Sequence, residues 1–300
     1  MLDIGLAGTF GHDLTATVSQ SINQVPTNEL GPGNLQALRP FPQFSNVQIL
    51  GSDIGRSDYR ALNIGVDRRL SSGLQFKVNY TYSIFLDNLN ARSEVGNVPA
   101  FTNYYNQGND WGLSANDMRH RLVVSTIYQL PVGKGKLFSP SNRIVDGLIG
   151  GWSVGAIVEA HTGPPLGITE LTNNTNSYSD GVRPNVVGDP NISGNRTRAQ
   201  ALAEWFNTSA FAAPAAYTFG NAGKTFGVAP GLFSLDASLL KDYSWERYVL
   251  QFRVEAMNFT NHANFAPPNT QQGSPTFGQV TSLVAGNQAR IIQLGLHLKF

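Results

Sequence analysis

The sequence predicts an all-β protein, an antiparallel transmembrane β-barrel to which this chain contributes about eight strands. Three observations predict this class. Apolar side chains recur at every second position in segments of about ten residues. The connections between these segments alternate between long and short. Charged residues make up only 14% of the chain, against roughly 25% in soluble domains, whereas glycine occurs 31 times and proline 16 times.

The first part of the chain contains a weak strand candidate followed by the clearest hairpin. The weak candidate is residues 1–10, and the hairpin lies at 58–86. Its turn is predicted at Ser71, Ser72 and Gly73, because these residue types favour tight turns. One face of the hairpin is apolar, with Leu62, Ile64, Val66, Leu74, Phe76, Val78, Tyr80, Tyr82 and Ile84. The opposite face carries Asn63, Asp67, Gln75, Lys77, Asn79, Thr81 and Ser83.

Five further strands are predicted after this hairpin. Each shows the same alternation between an apolar and a polar face, and they lie at about 122–130, 152–160, 233–239, 247–259 and 290–300. The last strand is the most regular: Ile292, Leu294, Leu296, Leu298 and Phe300 share one face. Tyr80, Tyr82, Tyr128, Trp152 and Tyr248 are interpreted as members of the aromatic girdles that mark the two membrane interfaces.

The lengths of the connections indicate which rim of the barrel each one occupies. In chain order they lie at 11–56, 71–73, 87–117, 132–148, 170–230, 243–246 and 260–287. An outer-membrane barrel has tight turns on the periplasmic rim and large loops outside, so both chain ends are expected on the periplasmic rim. Within the longest loop, residues 197–206 have helical spacing, with Leu202, Trp205 and Phe206 on one side.

Several classes of chemistry find no support in the residues. The chain has no cysteine, and its net charge of +1 gives no argument for a nucleic-acid partner. Its five histidines form no spaced metal pair, and GKG at 133–135 lacks the rest of a phosphate-binding loop. Glu159, Arg253 and Glu255 are interpreted as barrel-lumen charges rather than acid–base catalysts. The chain is therefore expected not to be an enzyme, and no catalytic, cofactor or metal residue is assigned.

Aromatic residues in the predicted outer loops are the candidates for ligand binding. They are Tyr104, Tyr105, Trp111 and Tyr178. They either stack on a sugar or another ligand or pack the loops against one another, and the sequence leaves both alternatives open.

Six stretches carry a family resemblance. YRALNIGVDRRLSSGLQFKVNYTYSIFLDN resembles a hairpin of TonB-dependent receptors of the Oar-like kind, which are abundant in acidobacteria and usually carry a carboxypeptidase-regulatory-like N-terminal domain. DMRHRLVVSTIYQLPVGKGKLF with GGWSVGAIVEAHTGPPL looks like the next pair of strands, and QFRVEAMNFTNHANF, FGQVTSL and QLGLHLKF look like the C-terminus. The matches run in the family's order from about residue 59 to 300.

The resemblance implies a barrel of about 22 strands around a plug domain, and uptake of a scarce ligand powered by TonB. Residues 1–300 are then expected to be the C-terminal part of such a barrel, without signal peptide, TonB box, plug or regulatory domain. The implied partners are outer-membrane lipid, the N-terminal strands and plug of the same receptor, and TonB through that N-terminal part. The implied location is the cell outer membrane of a Gram-negative-type bacterium.

The C-terminal strand also resembles an assembly signal. Leu296, Leu298 and the terminal Phe300 form the alternating pattern with a final aromatic that the barrel-assembly machinery reads, by a mode in which a strand adds to an exposed edge. The alternative is that Phe300 is an ordinary interface aromatic.

Three other functions remain as alternatives. A secreted soluble β-sandwich, such as an adhesin or sugar-binding protein, shares the strand count and the loop aromatics. A self-contained eight-stranded barrel is possible in principle, because eight strands can close around their own side chains. An outer-membrane enzyme would need a nucleophile and a base brought together, and the sequence offers no such pair.

Overall fold

Eight long strands form one antiparallel sheet in the computed structural model, which describes residues 1–15, 20–89, 92–93, 96–97, 102–179 and 181–300. The strands follow one another in chain order with no crossover, so each one pairs with its neighbours in sequence. They are β1 Leu2–Leu14, β2 Gly55–Ser71, β3 Leu74–Asp87, β4 His120–Gln129, β5 Trp152–His161, β6 Leu232–Trp245, β7 Tyr248–Met257 and β8 Ile291–Lys299.

The register places most of the large apolar side chains of the eight strands on one face. One row of partners crosses six strands, β1 to β6, through Ile4, Ile64, Tyr80, Leu122, Ala160 and Phe233. A second row continues from β4 to β8 through Tyr128, Val154, Leu239, Val254 and Leu294. Because side chains alternate along a strand, the intervening residues form the opposite face, which is mainly polar but includes Val123, Ile127 and Ile157. The predicted two-sided pattern of strands is confirmed.

One rim of the sheet carries the short connections. The β2–β3 turn consists of Ser72 and Gly73, with φ of 53° and 82°. Positive φ at both central residues is the hairpin geometry that follows the twist of the strands, which favours glycine at the second position. The β6–β7 turn consists of residues 246–247, because β6 continues to Trp245 instead of ending near 242 as predicted. The chain ends and the β4–β5 connection, with helix α1 (Arg143–Ile149), occupy the same rim.

The other rim carries four long connections, at 15–54, 88–119, 162–231 and 258–290. Their described parts contain helix α2 (Arg198–Ala203), short 3-10 helices and two-residue strands. The 3-10 helices are Thr27–Glu29, Gln36–Leu38, Gln107–Asp110 and Thr208–Ala210. The short strands are Gln20–Ser21, Gln48–Ile49, Arg92–Ser93, Gly96–Asn97, Gly112–Leu113, Pro165–Leu166, Thr169–Glu170, Asn185–Val186, Phe211–Ala212, Gly227–Val228 and Gln271–Gln272. In the described part of the chain, no helix has the length and apolar character needed to cross a membrane.

Helix α2 is shorter than the predicted 197–206. It begins with a capping box, in which Thr197 accepts from the backbone of Gln200 and the Gln200 side chain accepts in return. It ends at Ala203 because Glu204 is extended, with φ of −149°. Trp205 and Phe206 therefore reach the protein interior from an extended segment and not from one side of a helix.

The buried apolar core lies in the long connections and not in the sheet. Among the described residues, Ala61 and Ala256 are the buried apolar positions of the long strands. The main cluster instead consists of Leu166, Ile168, Phe206, Ala210, Phe211, Ala222 and Ala229. A soluble sandwich needs a core between two packed sheets, so this arrangement is not that of the sandwich alternative.

The sheet is open in the described chain. β1 and β8 are its two edges, and each pairs along one side only, with β2 and β7. Their apolar side chains are exposed, for example Leu6 at 86% and Leu294 at 67%. The eight strands therefore do not close into the self-contained barrel that the sequence left open.

Candidate functional site

The polar face of the sheet contains a groove lined by apolar and polar residues, three of them charged. It has a volume of about 480 Å³ and runs from β3 to β7, where Lys77, Asp236 and Glu255 contribute to its walls. Nearby, Arg121 Nη2 lies 2.9 Å from Glu159 Oε1 on the adjacent strand. The predicted lumen position of Glu159 agrees with this pairing, in which a neighbouring strand supplies the counter-charge.

The four long connections join into one unit, called here the loop roof. Val25 N donates to Ser177 O at 3.0 Å, which joins the first connection to the third. Val280 N donates to Leu202 O at 2.9 Å, which joins the fourth to the third. Thr169–Glu170 also pairs in parallel with Gln271–Gln272. These backbone bonds make the roof a structured element.

Two buried ion pairs fasten the roof together and to the sheet. Lys224 of the third connection binds the carboxylate of Asp87, at the end of β3, and its side chain is 0% exposed. Arg183 binds Asp110 of the second connection, and its Nη1 donates to Asn109 O at 2.9 Å. Burial lowers the pKa of Lys224, and the adjacent Asp87 opposes that shift. Such pairs are costly to desolvate, but they fix one arrangement of the groups they join.

Two of the predicted loop aromatics, Tyr104 and Tyr105, contact each other in the roof, while ligand binding by the four stays a prediction. The rings of Tyr104 and Tyr105 meet edge to face with centroids 5.5 Å apart. Tyr105 Oη donates to Gln24 O at 3.0 Å, and burial, more than the charges of Tyr104 and Glu29, raises its pKa. Yet Tyr105 remains 43% exposed. These residues pack the roof while presenting part of a ring to solvent.

Tyr178 and Trp111 lie elsewhere in the roof. Tyr178 adopts a positive φ of 63°, and the guanidinium of Arg39 lies 4.3 Å from its ring centroid. Trp111 follows Asp110 directly and is 43% exposed, while Tyr178 is 39% exposed. Among the ring contacts of the described residues, none joins Trp111 or Tyr178 to Tyr104 or Tyr105. The structure therefore brings two of the four aromatics together.

Arg39 is a roof residue that the sequence did not single out. It is 4% exposed, and its Nε donates to Asn23 O at 2.7 Å while Nη1 donates to Gln36 Oε1 at 2.8 Å. Its neighbours in sequence are loop residues with no periodicity, so no local signal marks this arginine as buried. Its hydrogen bonds organise the first connection, and its guanidinium stacks on the Tyr178 ring.

Glu170 is the acidic group with an unusual titration in the roof. Burial raises its pKa to about 7, and the amide of Gln272 lies beside its carboxyl group.

In the oxygen-rich stretch at 173–179, Thr175 Oγ1 donates to Asn173 Oδ1 at 2.6 Å, and the hydroxyls of Thr175, Ser177 and Ser179 continue the chain of hydrogen bonds. The described residues contain no group of three or more His, Cys, Asp or Glu side chains that could hold a metal ion.

The predicted assembly residues lie at the open edge of the sheet. Leu296 and Leu298 project from the apolar face of β8, with exposures of 67% and 58%, and the terminal Phe300 is 92% exposed. β8 pairs with β7 along one side only in the described chain. Its other side presents the unpaired backbone that strand addition requires.

Comparison with known proteins identifies one family. The model of a family described as "Outer membrane beta barrel domain" matches residues 1–293. No curated protein matches the chain.

Proposed function

Because the chain belongs to the outer membrane beta barrel domain family, and is thus an outer-membrane protein, we propose that it forms part of the wall of a TonB-dependent receptor of the Oar-like kind. In this role it helps to capture a ligand outside the cell and to pass it across the outer membrane. Its task is binding and passage, without catalysis by this chain.

The observation that carries the proposal is the open sheet with a structured roof on one rim. An exposed strand edge in a membrane is costly, because its backbone N–H and C=O groups have no water to bond. Closure between β8 and β1 therefore requires further strands, as in a larger barrel. The groove to which Lys77, Asp236 and Glu255 contribute fits a lumen that a plug domain fills.

The roof supports the receptor part of the proposal. Buried ion pairs hold it at the outer rim, and Tyr105, Trp111 and Tyr178 each present a partly exposed ring. Flat apolar surfaces with polar edges suit sugars and aromatic ligands. TonB would act through the remaining N-terminal part of the receptor, and the barrel-assembly machinery would recognise β8.

The first test is the genome and the cell. We expect in-frame coding sequence for a plug and further strands upstream, and we expect deletion of the segment for residues 1–300 to abolish uptake of one ligand from a panel of glycans, peptides and metal chelates. A protonophore should abolish the same uptake. Uptake that is insensitive to both the deletion and the protonophore would contradict the proposal.

The second test concerns the roof aromatics. Trp111→Ala should raise the Kd for the identified ligand by roughly tenfold, the loss expected for one aromatic contact. Trp245→Ala is the matched control, because Trp245 is exposed on the opposite rim. Equal effects of the two substitutions would remove Trp111 from the binding surface.

A further inference from the structure

The connection between β4 and β5, residues 130–151, contains a surface that the proposed ligand passage does not use. It is called here the rim segment, and it includes helix α1 (Arg143–Ile149). It lies on the rim of the short turns, opposite the roof. The helix starts at Asn142, whose side chain accepts from Ile144 N at 2.8 Å and from Val145 N at 3.3 Å. The cap defines the orientation of a short helix that would be marginal alone.

Helix α1 lies against the outer, apolar side of the sheet. Trp152 Nε1 donates to Leu148 O at 3.0 Å, and Lys241 Nζ donates to Gly150 O. Trp152 and Lys241 are register partners on the apolar face. The space beside Gly147 is closed by the ring of Tyr243, on the same face of β6, 3.5 Å from where a Cβ would stand. The helix is therefore outside the barrel wall and away from the lumen.

The side of α1 turned away from the wall is apolar. Because residues one turn apart share a helix face, the pattern i, i+1, i+4, i+5 forms one stripe. It consists of Ile144, Val145, Leu148 and Ile149, which are 75%, 41%, 67% and 45% exposed. Leu137 and Phe138, earlier in the rim segment, are 80% and 62% exposed. Because α1 packs against the apolar side of the sheet, its stripe continues the lipid-facing surface of the wall beyond its edge.

Cations flank this apolar stripe. Lys134, Lys136 and Arg143 are exposed in the same segment, against the single acidic residue Asp146. Together with Asp242 and Lys241 they border a cleft of about 910 Å³. An apolar stripe with cations beside it is the composition of helices that lie in a membrane interface. Phospholipid phosphates are the anions available to these cations in the membrane interface.

We propose that the rim segment is a membrane-interface anchor. Helix α1 lies in the plane of the inner leaflet of the outer membrane, with its apolar stripe among the acyl chains and Lys134, Lys136 and Arg143 on phospholipid phosphates. The occupant is the lipid surface because the stripe continues the lipid-facing wall, because the flanking charge is positive, and because a plug domain would lie on the other side of the wall.

Depth measurement by spin labels tests the proposal. The chain has no cysteine, so Ile144→Cys, Leu148→Cys and the control Ser141→Cys each carry one label. In the complete barrel inserted into phospholipid vesicles, labels at 144 and 148 should lie about 5–10 Å below the headgroups, protected from a water-soluble relaxation agent and open to oxygen. The label at 141 should be accessible to the water-soluble agent. Equal accessibility at all three sites would overturn the proposal.

Two further results distinguish lipid from other occupants. Spin–spin broadening at 148 that grows with protein density would indicate a second copy of the chain and would overturn the lipid assignment. For the charges, Lys134→Gln with Lys136→Gln should reduce the preference for phosphatidylglycerol vesicles about fivefold for each lysine removed. Arg196→Gln with Arg198→Gln, in the roof, is the charge-matched control, and an equal loss there would contradict a specific role of the rim segment.

Discussion

Replacing Leu294 by arginine should destabilise the folded chain far more than the same substitution at its neighbour Gln293. Leu294 projects from the apolar face of β8, opposite Val254, and 67% of its surface is exposed. Gln293 is on the polar face, opposite Glu255. The two positions share strand and edge, so the difference between them reports chiefly which face contacts lipid, with a smaller contribution from the Glu255 charge opposite position 293.

The magnitude follows from depth in the bilayer. A strand rises about 3.4 Å per residue and tilts by about 40°, which gives about 2.6 Å of depth per residue. Leu294 thus lies about 16 Å above Phe300, near the middle of an apolar band about 25 Å tall, whereas Leu298 lies only about 5 Å above it. Arginine costs about 2–4 kcal/mol at the midplane and about 0–1 kcal/mol near the interface.

The assay is the free energy of folding into phospholipid vesicles of the complete barrel to which this chain is proposed to contribute. Urea titrations of Leu294→Arg, Leu298→Arg and Gln293→Arg are followed by circular dichroism and by heat-modifiable gel mobility. We expect losses of about 2–4, at most about 1, and close to 0 kcal/mol, in that order. Equal losses at Leu294 and Gln293 would refute the assignment of the apolar face to lipid, and a soluble folded monomer without detergent would refute the membrane setting itself.

Three further predictions concern the roof and the C-terminus. Lys224→Met should destabilise the roof by about 3–5 kcal/mol, because it leaves the Asp87 carboxylate buried without its cation. The measurement is the rate of proteolysis of the roof, which should rise in Lys224→Met and fall again partly when Asp87→Asn is added. An unchanged cleavage rate would contradict this prediction. Burial raises the pKa of Glu170 to about 7, so its protonated form is favoured in the folded roof. The backbone pairing of residues 169–170 with residues 271–272 should be strongest below the ordinary carboxyl pKa of 4.5 and weaken as pH rises through 7. Hydrogen exchange of the backbone amides, corrected for intrinsic rates, measures this pairing. If the same pH dependence persisted in Glu170→Gln, Glu170 would not be its cause. Phe300→Ala should lower the amount of assembled barrel in cells but not the yield of refolding in vesicles. The control Phe10→Ala, at the other edge strand, should leave assembly in cells unchanged. Identical results for the two substitutions would show that Phe300 is not an assembly signal.

The strands were predictable because their information is local. In β3 and β8 every second residue is apolar over the whole strand, and a period of two has one structural solution, a sheet with two unlike faces. The turn at Ser72–Gly73 was equally local. The face on which a side chain lies follows from its position in its own strand, without knowledge of the neighbouring strand. The register of the eight strands therefore agrees with the faces predicted from single segments.

The roof and the rim segment were less predictable. Lys224 and Asp87 are 137 residues apart, and a lone lysine in a glycine-rich loop has no pattern that marks it as buried. The predicted helix at 197–206 ended early because Glu204 caps a following turn, accepting from Thr208 N at 3.2 Å. Helix α1 is shorter than the windows in which helical periodicity is measurable, and Asn142 was its one local sign.

The location of the core outside the sheet reverses the usual relation between position and tolerance to mutation. Lipid chains are fluid and fill any outline, so Leu, Ile, Val and Phe should replace one another freely on the wall. The rings of Phe206, Phe211, Phe226 and Phe277 pack edge to face, and in such a close-packed cluster each ring restricts the size and shape of its neighbours. Among descendants of this sequence, the lipid-facing strand positions should therefore exchange one apolar residue for another, while these four loop phenylalanines are retained. A single inserted residue should be tolerated at the margins of the roof. In a strand it should not be tolerated, because it would move every following side chain to the opposite face of the sheet.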